Sequence, residues 1–346
     1  MKISAYAFAA AVAAATLPTM VHGEDAQPYK IAKTIPLGPA ERWDYATYDA
    51  DSDRVYVAHG DHVTVVDAST GAHVGDIGPL PGGTHGIGIS TANGIGYTDD
   101  GKAGVAASFD LKTLKLGQQI KTATDADGIV SDPASGHIFV INGDSGLIVA
   151  LDPKANAAAA TINVGAPLEA GVADGKGKLF VDGVDAHDII AIDTKTNKVL
   201  AHFPMAGCLK PHGIAVDADT RRIFATCANK VMVVVDAESG KNIATLPIGA
   251  FNDGAAFDPV RKYALSANGD GTLTVVQEKS PDEFSVLANV PTAMSARTIA
   301  IDPKSGRVFL PTADIAKMDP PTTPGGRPHV TFTPGSMKLL VLEPVR

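Results

Sequence analysis

The stretch HGIAVDADTRRIFATCANKVMVVVDAESGKNIATLPIG, residues 212–249, contains four short strand patterns separated by turn signals. GIAVD (213–217) is small and apolar and ends in Asp, and RIFATCA (222–228) is apolar with an aromatic residue. VMVVVD (231–236) again ends in Asp, whereas GKNIATLPIG (240–249) is more polar. β-Branched and aromatic residues favour strands, while Asp, Gly and Ser favour the turns between them. The stretch therefore predicts one four-stranded antiparallel sheet.

The same unit occurs seven times, and successive starts lie 41, 42, 42, 43, 41 and 44 residues apart. The units span Asp44–Asp67, His85–Asp110, Asp127–Asp152, Glu169–Asp193, His212–Asp236, Asp253–Val276 and Arg297–Leu342. Four strands repeated at such a period are typical of propeller blades. We predict an all-β protein, a seven-bladed β-propeller with four-stranded antiparallel blades, forming a single domain over residues 24–346.

The seventh unit lacks a fourth strand after MKLLVLEP (337–344). A matching segment, YKIAKTIPLG (29–38), precedes the first unit and resembles the fourth strands of the others. Pairing it with the last unit would remove two exposed sheet edges. We therefore predict that the N-terminal strand closes the last blade.

The last unit also carries a Pro/Gly-rich insertion over residues 313–336. A loop of this length in a compact repeat is usually functional or disordered. Its position predicts that it projects from one face of the propeller. It is either a lid whose Arg327 and His329 reach a ligand, or a flexible loop that contacts no ligand.

Residues 1–23 have the features of a secretory signal peptide: Lys2, then a small apolar run over residues 5–17, then small residues before position 24. The run is too short for a membrane span, although a retained anchor is the alternative. We expect a mature protein in the periplasm or outside the cell, with no membrane span.

The chain has a net charge of −9 and no run of Lys or Arg. Nucleic-acid-binding proteins usually present a basic patch or stripe, so we expect no nucleic-acid partner. A closed propeller is self-sufficient, and we expect a monomer that binds a small molecule or a protein on one face.

Three strand pairs carry the resemblance to a known family: VYVAHGDHVTVVDASTG (55–71), LFVDGVDAHDIIAIDTKTN (179–197) and IFATCANKVMVVVDAESG (223–240). In this pattern the mature chain resembles the YVTN-repeat (YncE-like) β-propeller family. The resemblance implies the seven-bladed fold. It does not imply an activity, because propellers serve both as binding platforms and as enzymes.

An ionisable residue stands just before the first strand of every unit. These seven residues are Asp44, His85, Asp127, Glu169, His212, Asp253 and Arg297. The innermost strands of a propeller line its central channel, so equivalent positions should form a ring at one mouth. Four carboxylates in one ring cannot all remain ionised without compensation from a cation, raised pKa values or neighbouring positive groups.

Two interpretations of this ring remain open. In the first, a divalent metal ion is bound by some of His85, Asp127, Glu169, His212 and Asp253, with Glu169, His212 and Asp253 as the preferred set. Imidazole together with carboxylates suits Zn²⁺, Mn²⁺, Fe²⁺ or Cu²⁺. In the second, the ring is a water-filled polar channel with Arg297 as its internal counter-ion.

Four further residues near the ring are candidate ligand contacts: Trp43, Asp44, His59 and Asn252. Trp43 is either a stacking platform or a packed wall residue. If the protein is an enzyme, His212 is a candidate general acid or base and Arg297 a candidate anion holder, in a metal-dependent hydrolase or lyase of a small oxygenated substrate. The alternatives are a non-catalytic scaffold and a periplasmic metal-handling protein.

The two cysteines, Cys208 and Cys227, lie in the same unit as His212. In an oxidising compartment we expect them to form a disulfide that fixes the loop before His212. The alternative is that one thiolate joins His212 on a soft metal such as copper.

Overall fold

Seven four-stranded antiparallel sheets make up the computed structural model, which describes residues 27–39, 42–322 and 328–345. The predicted seven-bladed propeller is confirmed. The predicted signal peptide, residues 1–23, lies outside the described residues. Within the described part of the chain, no helix is long and apolar enough to cross a membrane.

Strand β1 (Tyr29–Gly38) precedes the blades, and each blade then runs from its innermost to its outermost strand. Blade 1 contains β2 (Trp43–Asp49), β3 (Arg54–His59), β4 (His62–Asp67) and β5 (His73–Ile77). Blade 2 contains β6 (Ile87–Ser90), β7 (Ile95–Asp100), β8 (Val105–Asp110) and β9 (Leu116–Lys121). Blade 3 contains β10 (Ala126–Ser131), β11 (Ile138–Asn142), β12 (Leu147–Asp152) and β13 (Ala157–Asn163). Blades 4 and 5 contain β14 (Leu168–Ala173), β15 (Lys178–Gly183), β16 (Asp188–Asp193), β17 (Lys198–Pro204); and β18 (Pro211–Asp217), β19 (Arg222–Cys227), β20 (Val231–Asp236), β21 (Asn242–Pro247).

Blade 6 contains β22 (Asn252–Asp258), β23 (Tyr263–Asn268), β24 (Asp270–Ser280) and β25 (Glu283–Met294). Blade 7 is built from both parts of the chain, in the order β26 (Ala300–Ile301), β27 (Val308–Thr312), β30 (Met337–Pro344) and β1. The insertion forms its own hairpin, β28 (Ile315–Asp319) and β29 (His329–Phe332). Closure of the last blade by the N-terminal strand is thus confirmed.

The hydrophobic core lies between neighbouring blades. Six blades place an aromatic residue at the same point of their second strand, and all six side chains are fully buried: Tyr56, Tyr97, Phe139, Phe180, Phe224 and Phe309. In one cluster, Phe180 of blade 4 packs with Ile223 and Val233 of blade 5. Burial of each such ring stabilises the fold by about 2–3 kcal/mol. The repeat therefore supplies one core layer for each pair of blades.

Asp residues at the ends of the first strands shape the turns away from the channel mouth. Asp132 accepts hydrogen bonds from the backbone N of Ala134 and Ser135, at 3.2 and 2.9 Å. Asp302 makes the same type of contact with Lys304 N at 3.0 Å. A carboxylate that bonds the backbone two or three residues on replaces a backbone acceptor in a tight turn. The recurrent Asp of the sequence pattern is thus a turn former.

The last and first blades are joined at the channel as well as at the outer strand. Thr298 Oγ1 donates to Asp44 O at 2.8 Å, and Arg297 Nη2 donates to Trp43 O at 3.1 Å. On the outside, β1 pairs with β30 over Tyr29–Gly38. The seam between residues far apart in sequence is therefore closed at both its inner and its outer edge.

Candidate functional site

A local irregularity of the innermost strand carries the ring residue in five of the seven blades. The pairing registers shift between Trp43 and Ala46, and again between Pro211 and Gly213, around Asp44 and His212. Asp127, Glu169 and Asp253 lie in equivalent shifts. The extra residue of a β-bulge is not paired with the neighbouring strand, and its side chain points in a different direction from those of the paired residues.

The ring residues were expected just before the first strands. Five of them instead lie inside these strands, at the bulge, and only His85 and Arg297 precede β6 and β26. The reason is that pairing with the second strand resumes on both sides of the bulge, so the strand extends past the ring residue.

The chain reverses direction two residues before the ring position. Gly83, Asp125, Lys210, Phe251 and Ser295 all have positive φ there. In these five blades a left-handed residue turns the chain from the outer strand of one blade into the channel wall of the next.

Six of the seven ring residues line one cavity of about 640 Å³ at the channel mouth. They are Asp44, Asp127, Glu169, His212, Asp253 and Arg297. Tyr45 also lines this cavity and the narrower channel below it. The structure thus brings the equivalent positions together at one end of the axis, as the repeat pattern predicted.

Glu169, His212 and Asp253 form the tightest group within this cavity. One donor atom from each lies within 4.8 Å of the other two. His212 Nδ1 is 3.6 Å from Glu169 Oε1 and 3.9 Å from Asp253 Oδ1. His212 Nδ1 is buried and makes no hydrogen bond to any residue that the structure describes.

These distances suit two ligands of one cation better than a direct hydrogen bond. A hydrogen bond to a ring nitrogen would bring the oxygen to about 3 Å or less. Two ligands placed about 2.1 Å from a tetrahedral ion are about 3.4 Å apart. One imidazole with two carboxylates is a donor set for Zn²⁺, Mn²⁺ or Fe²⁺. The residues present therefore fit a divalent ion.

Arg297 fixes the Asp253 side of this group. Its Nε donates to Asp253 Oδ2 at 2.6 Å, and its guanidinium lies 5.3 Å above the Trp43 ring. The Arg297 salt bridge leaves Asp253 Oδ1 as the oxygen nearer His212. Trp43 itself is buried and also packs against Phe332, with ring centroids 4.7 Å apart. Its ring is a wall for Arg297 and offers no open stacking surface.

The carboxyls on the other side of the ring hold protons strongly. Burial, opposed in part by Arg297 and reinforced by Asp253 and Glu169, raises the pKa of Asp44 to about 7. Burial and then the charge of Asp44 raise the pKa of Asp127 well above its usual range. Burial also raises the pKa of Tyr45, which faces the same carboxylates. Sequence reasoning missed Tyr45, because no other blade has a tyrosine at that position.

Comparison with solved structures agrees with this architecture. The chain is a seven-bladed β-propeller. A chain from the crystal structure of the mitotic checkpoint complex matches it over 100% of both chains, with a TM-score of 0.73 and 12% identity. Kuenenia stuttgartiensis hydrazine synthase matches over 86% of this chain and 97% of its own, with a TM-score of 0.69 and 15% identity. At these identities the likeness concerns the fold alone. No family model and no curated protein matches the propeller.

His85 is turned away from the centre of the ring. Arg42 Nη2 lies 3.0 Å from His85 Nε2, and because Arg only donates, this nitrogen accepts. His85 Nδ1 then donates to Asp99 Oδ2 at 2.6 Å. The other Asp99 oxygen accepts from the backbone N of His85 and Gly86, at 2.8 and 2.9 Å. Both imidazole nitrogens are therefore engaged away from Glu169 and Asp253.

A buried acid lies behind Glu169 at the position equivalent to Asp99. Asp182 is fully buried, and neither of its oxygens has a hydrogen-bond partner among the described residues. Burial, with the nearby charge of Glu169, raises the pKa of Asp182 well above its usual range, so the carboxyl is held neutral. Alignment of the second strands would have revealed it, because Asp99 and Asp182 stand at the same point of their repeats.

The remaining predicted contacts lie beneath the surface of the mouth. His59 is fully buried, with Nδ1 2.9 Å from Thr64 Oγ1. Asn252 is buried and donates from Nδ2 to Cys227 O at 3.0 Å. Both residues brace the wall, and Asn252 also borders the cavity.

Cys208 and Cys227 are joined in the expected disulfide. The bond fastens the loop before β18 to β19, and Pro211 pairs with Cys227 in the adjoining register. Neither sulfur is available as a metal ligand in this state, so the copper–thiolate alternative is not formed. The disulfide instead anchors the strand that carries His212.

The β28–β29 hairpin of the insertion lies on the mouth side and packs Phe332 onto Trp43. Of the two residues predicted to reach a ligand, Arg327 lies outside the described residues. His329 is exposed in β29 and lines none of the cavities described here.

Proposed function

We propose that this propeller is an exported protein of the YVTN-repeat kind that binds a divalent metal ion through Glu169, His212 and Asp253. The ion would then hold a small oxygenated ligand at the channel mouth. The observation that carries the proposal is His212 Nδ1, which is buried, has no hydrogen-bond partner among the described residues, and faces two carboxylate oxygens at 3.6 and 3.9 Å.

Three features support the location of the ion in the ring. Arg297 orients Asp253 through a 2.6 Å contact, as outer groups commonly orient metal-ligating carboxylates. The disulfide anchors the strand of His212 and agrees with an oxidising compartment. A cation also offsets the mutual repulsion of the ring carboxylates, which otherwise hold protons.

The chemistry available at such a site is Lewis-acid activation of a carbonyl or of water. As a metal ligand, His212 would serve the ion rather than proton transfer. Asp44, with a pKa of about 7, is then the group at the mouth best suited to exchange a proton at neutral pH. Arg297 retains the role of an anion holder. We propose ligand binding as the primary function, with hydrolysis or lyase chemistry as its extension.

The test is elemental analysis of the mature protein purified without chelators, followed by calorimetric titration with ZnCl₂ and MnCl₂. We expect about one ion per chain, and a loss of affinity of at least about 100-fold in His212→Ala and in Glu169→Gln. His85→Ala is the matched control and should bind as the wild type does, because His85 is engaged by Asp99 and Arg42. Wild-type affinity in His212→Ala, or no binding of either ion, would contradict the proposal.

A further inference from the structure

A second cavity, of about 230 Å³, adjoins the channel mouth beside the insertion hairpin. Its wall is mainly apolar, with Phe251, Met294, Met318, Val330 and Phe332, and among the described residues that line it Arg297 is the one charged side chain. Since ligand pockets are mostly apolar with a few placed polar groups, this composition is that of a binding pocket.

The two cavities are adjacent and share part of their walls. Phe251 and Arg297 line both the acidic mouth and the apolar pocket. Arg297 contacts Asp253, which belongs to the proposed metal group. A molecule that lies in the apolar pocket is therefore beside the guanidinium, which itself contacts a residue of the proposed metal group.

Large apolar side chains are unusually exposed around this pocket. Phe251 is 46%, Met294 43% and Met318 45% exposed. Clustered exposed apolar surface marks an interaction site more often than scattered single residues do. Methionine adapts its shape to apolar ligands, so two methionines in the wall suit a flexible partner.

Two wall residues stand at the chain-reversal position of the repeat. Phe251 has φ of 59° and Ser295 has φ of 68°, both in the left-handed region, as at the equivalent position of three other blades. At position 251 this conformation places a half-exposed aromatic ring at the border of the two cavities.

The charge balance of the occupied mouth selects the head group. A divalent ion and Arg297 contribute +3, while Glu169 and Asp253 contribute −2. Of these four groups, the Arg297 guanidinium is the one that lines the apolar pocket. Together with the ion it favours a single negative oxygen group such as a carboxylate.

We propose that the apolar pocket binds the hydrocarbon part of a small aliphatic monocarboxylate whose head group reaches Arg297 and the metal ion. The head-group half of this inference rests on the proposed metal site, whereas the pocket half does not. A methylene group occupies about the volume of a water molecule, about 30 Å³, so the pocket accommodates about seven carbons.

The experiment is calorimetric titration of the zinc-loaded protein with the straight-chain carboxylates acetate, butyrate, hexanoate, octanoate and dodecanoate. The same series of straight-chain alcohols is titrated with and without zinc. We expect affinity for the carboxylates to rise about three- to fourfold per methylene up to about eight carbons and then to level off. Alcohols should show the same dependence on length without needing zinc, at lower affinity.

Met318→Gln tests the pocket while preserving side-chain shape. Met318 is 45% exposed, so the variant should fold, and the gain per methylene should fall by at least half. Leu287→Gln is the matched control, because Leu287 is 48% exposed but lines neither cavity, and it should behave as the wild type does.

Each outcome separates the two proposals. Affinity that does not depend on chain length, with zinc bound normally, overturns the pocket and leaves the metal site standing. Length-dependent binding of alcohols without zinc binding supports the pocket and overturns the metal site. Equal affinity of carboxylates and alcohols in the zinc-loaded protein overturns the assigned head group.

Discussion

Blade 2 and blade 4 use the same two positions of the repeat in opposite ways. In blade 2, His85 at the ring is bonded to Asp99 behind it, and every oxygen of Asp99 is satisfied. In blade 4 the ring residue is Glu169, which cannot donate to Asp182, and Asp182 has no hydrogen-bond partner among the described residues. A ring residue that donates to the acid behind it is therefore withdrawn from the axis, whereas one that cannot donate remains available there.

The comparison explains why the candidate metal group occupies only one side of the mouth. Glu169 begins a run of three consecutive blades whose ring residues face each other, continued by His212 and Asp253. The side that contains His85 is closed by hydrogen bonds to Asp99 and Arg42. In these two blades the residue behind the ring is the same, so the difference arises from whether the ring residue can donate a hydrogen bond to it.

The largest effect is expected where the satisfied arrangement is broken. Asp99→Ala leaves the backbone N of His85 and of Gly86 and the His85 imidazole without their acceptor. We expect its free energy of unfolding to fall by about 4 kcal/mol more than that of Asp182→Ala, since the cavity terms of the two variants cancel. Urea unfolding of both variants measures the difference. Equal costs would mean that Asp99 gains nothing from its partners.

The second largest effect on the free energy of unfolding is expected from the disulfide, which lies on the side of the mouth that carries His212. Replacing both Cys208 and Cys227 by Ala removes a constraint on residues 19 apart and should lower the free energy of unfolding by about 3 kcal/mol. Because the bond anchors the strand of His212, zinc affinity should also fall. Calorimetry and urea unfolding report the two effects. Lost stability with unchanged zinc affinity would show that the disulfide does not position His212.

Proton binding by Asp44 at the mouth should change the free energy of unfolding by about 2 kcal/mol. The folded pKa of Asp44 is about 7, above its unfolded value of about 3.9, so the folded state binds the extra proton in between. This stabilisation is fully present below pH 4 and is lost as the pH rises through 7. Neighbouring carboxyls share the proton, so we expect about half of the stabilisation that the full difference between the folded and unfolded pKa of Asp44 would give. Thermal unfolding of metal-free wild type and Asp44→Asn between pH 4 and 8 isolates it, and parallel curves would refute it.

The smallest effect is expected from converting blade 4 to the arrangement of blade 2. Glu169→His places an imidazole where His85 stands in its own blade, and its N–H can donate to Asp182. One hydrogen bond to a previously unpartnered acid should raise the free energy of unfolding by about 1 kcal/mol, or the melting temperature by about 2 °C. His85→Glu is the reciprocal control and should destabilise. A decrease in both variants would show that the two positions are not equivalent.

The fold was predictable from sequence because its period is explicit. The regular spacing of the units gave the seven blades, and the likeness of residues 29–38 to other fourth strands gave the closure. The ring at the mouth followed from the same equivalence. These inferences need only the repeat, because every unit has the same pattern of strand and turn residues.

The individual roles of the ring residues were not predictable in this way. His85 is withdrawn by Asp99 and Arg42, which lie 14 and 43 residues away and belong to no motif. Trp43 is covered by Phe332, which comes from the insertion and has no counterpart in other blades. The apolar pocket is likewise built around the insertion. Features that depart from the repeat need coordinates, because the period carries no information about them.

The composite last blade has a consequence for the order of assembly during synthesis. Strand β1 is synthesised before the seven units but pairs with β30, which is synthesised after all the other strands of the blades, so the ring stays open until the whole array of blades has been made. The contacts of Arg297 and Thr298 with the first blade, which complete the mouth, wait for the same event. A nascent or clipped polypeptide without either of these two strands therefore lacks the finished entrance.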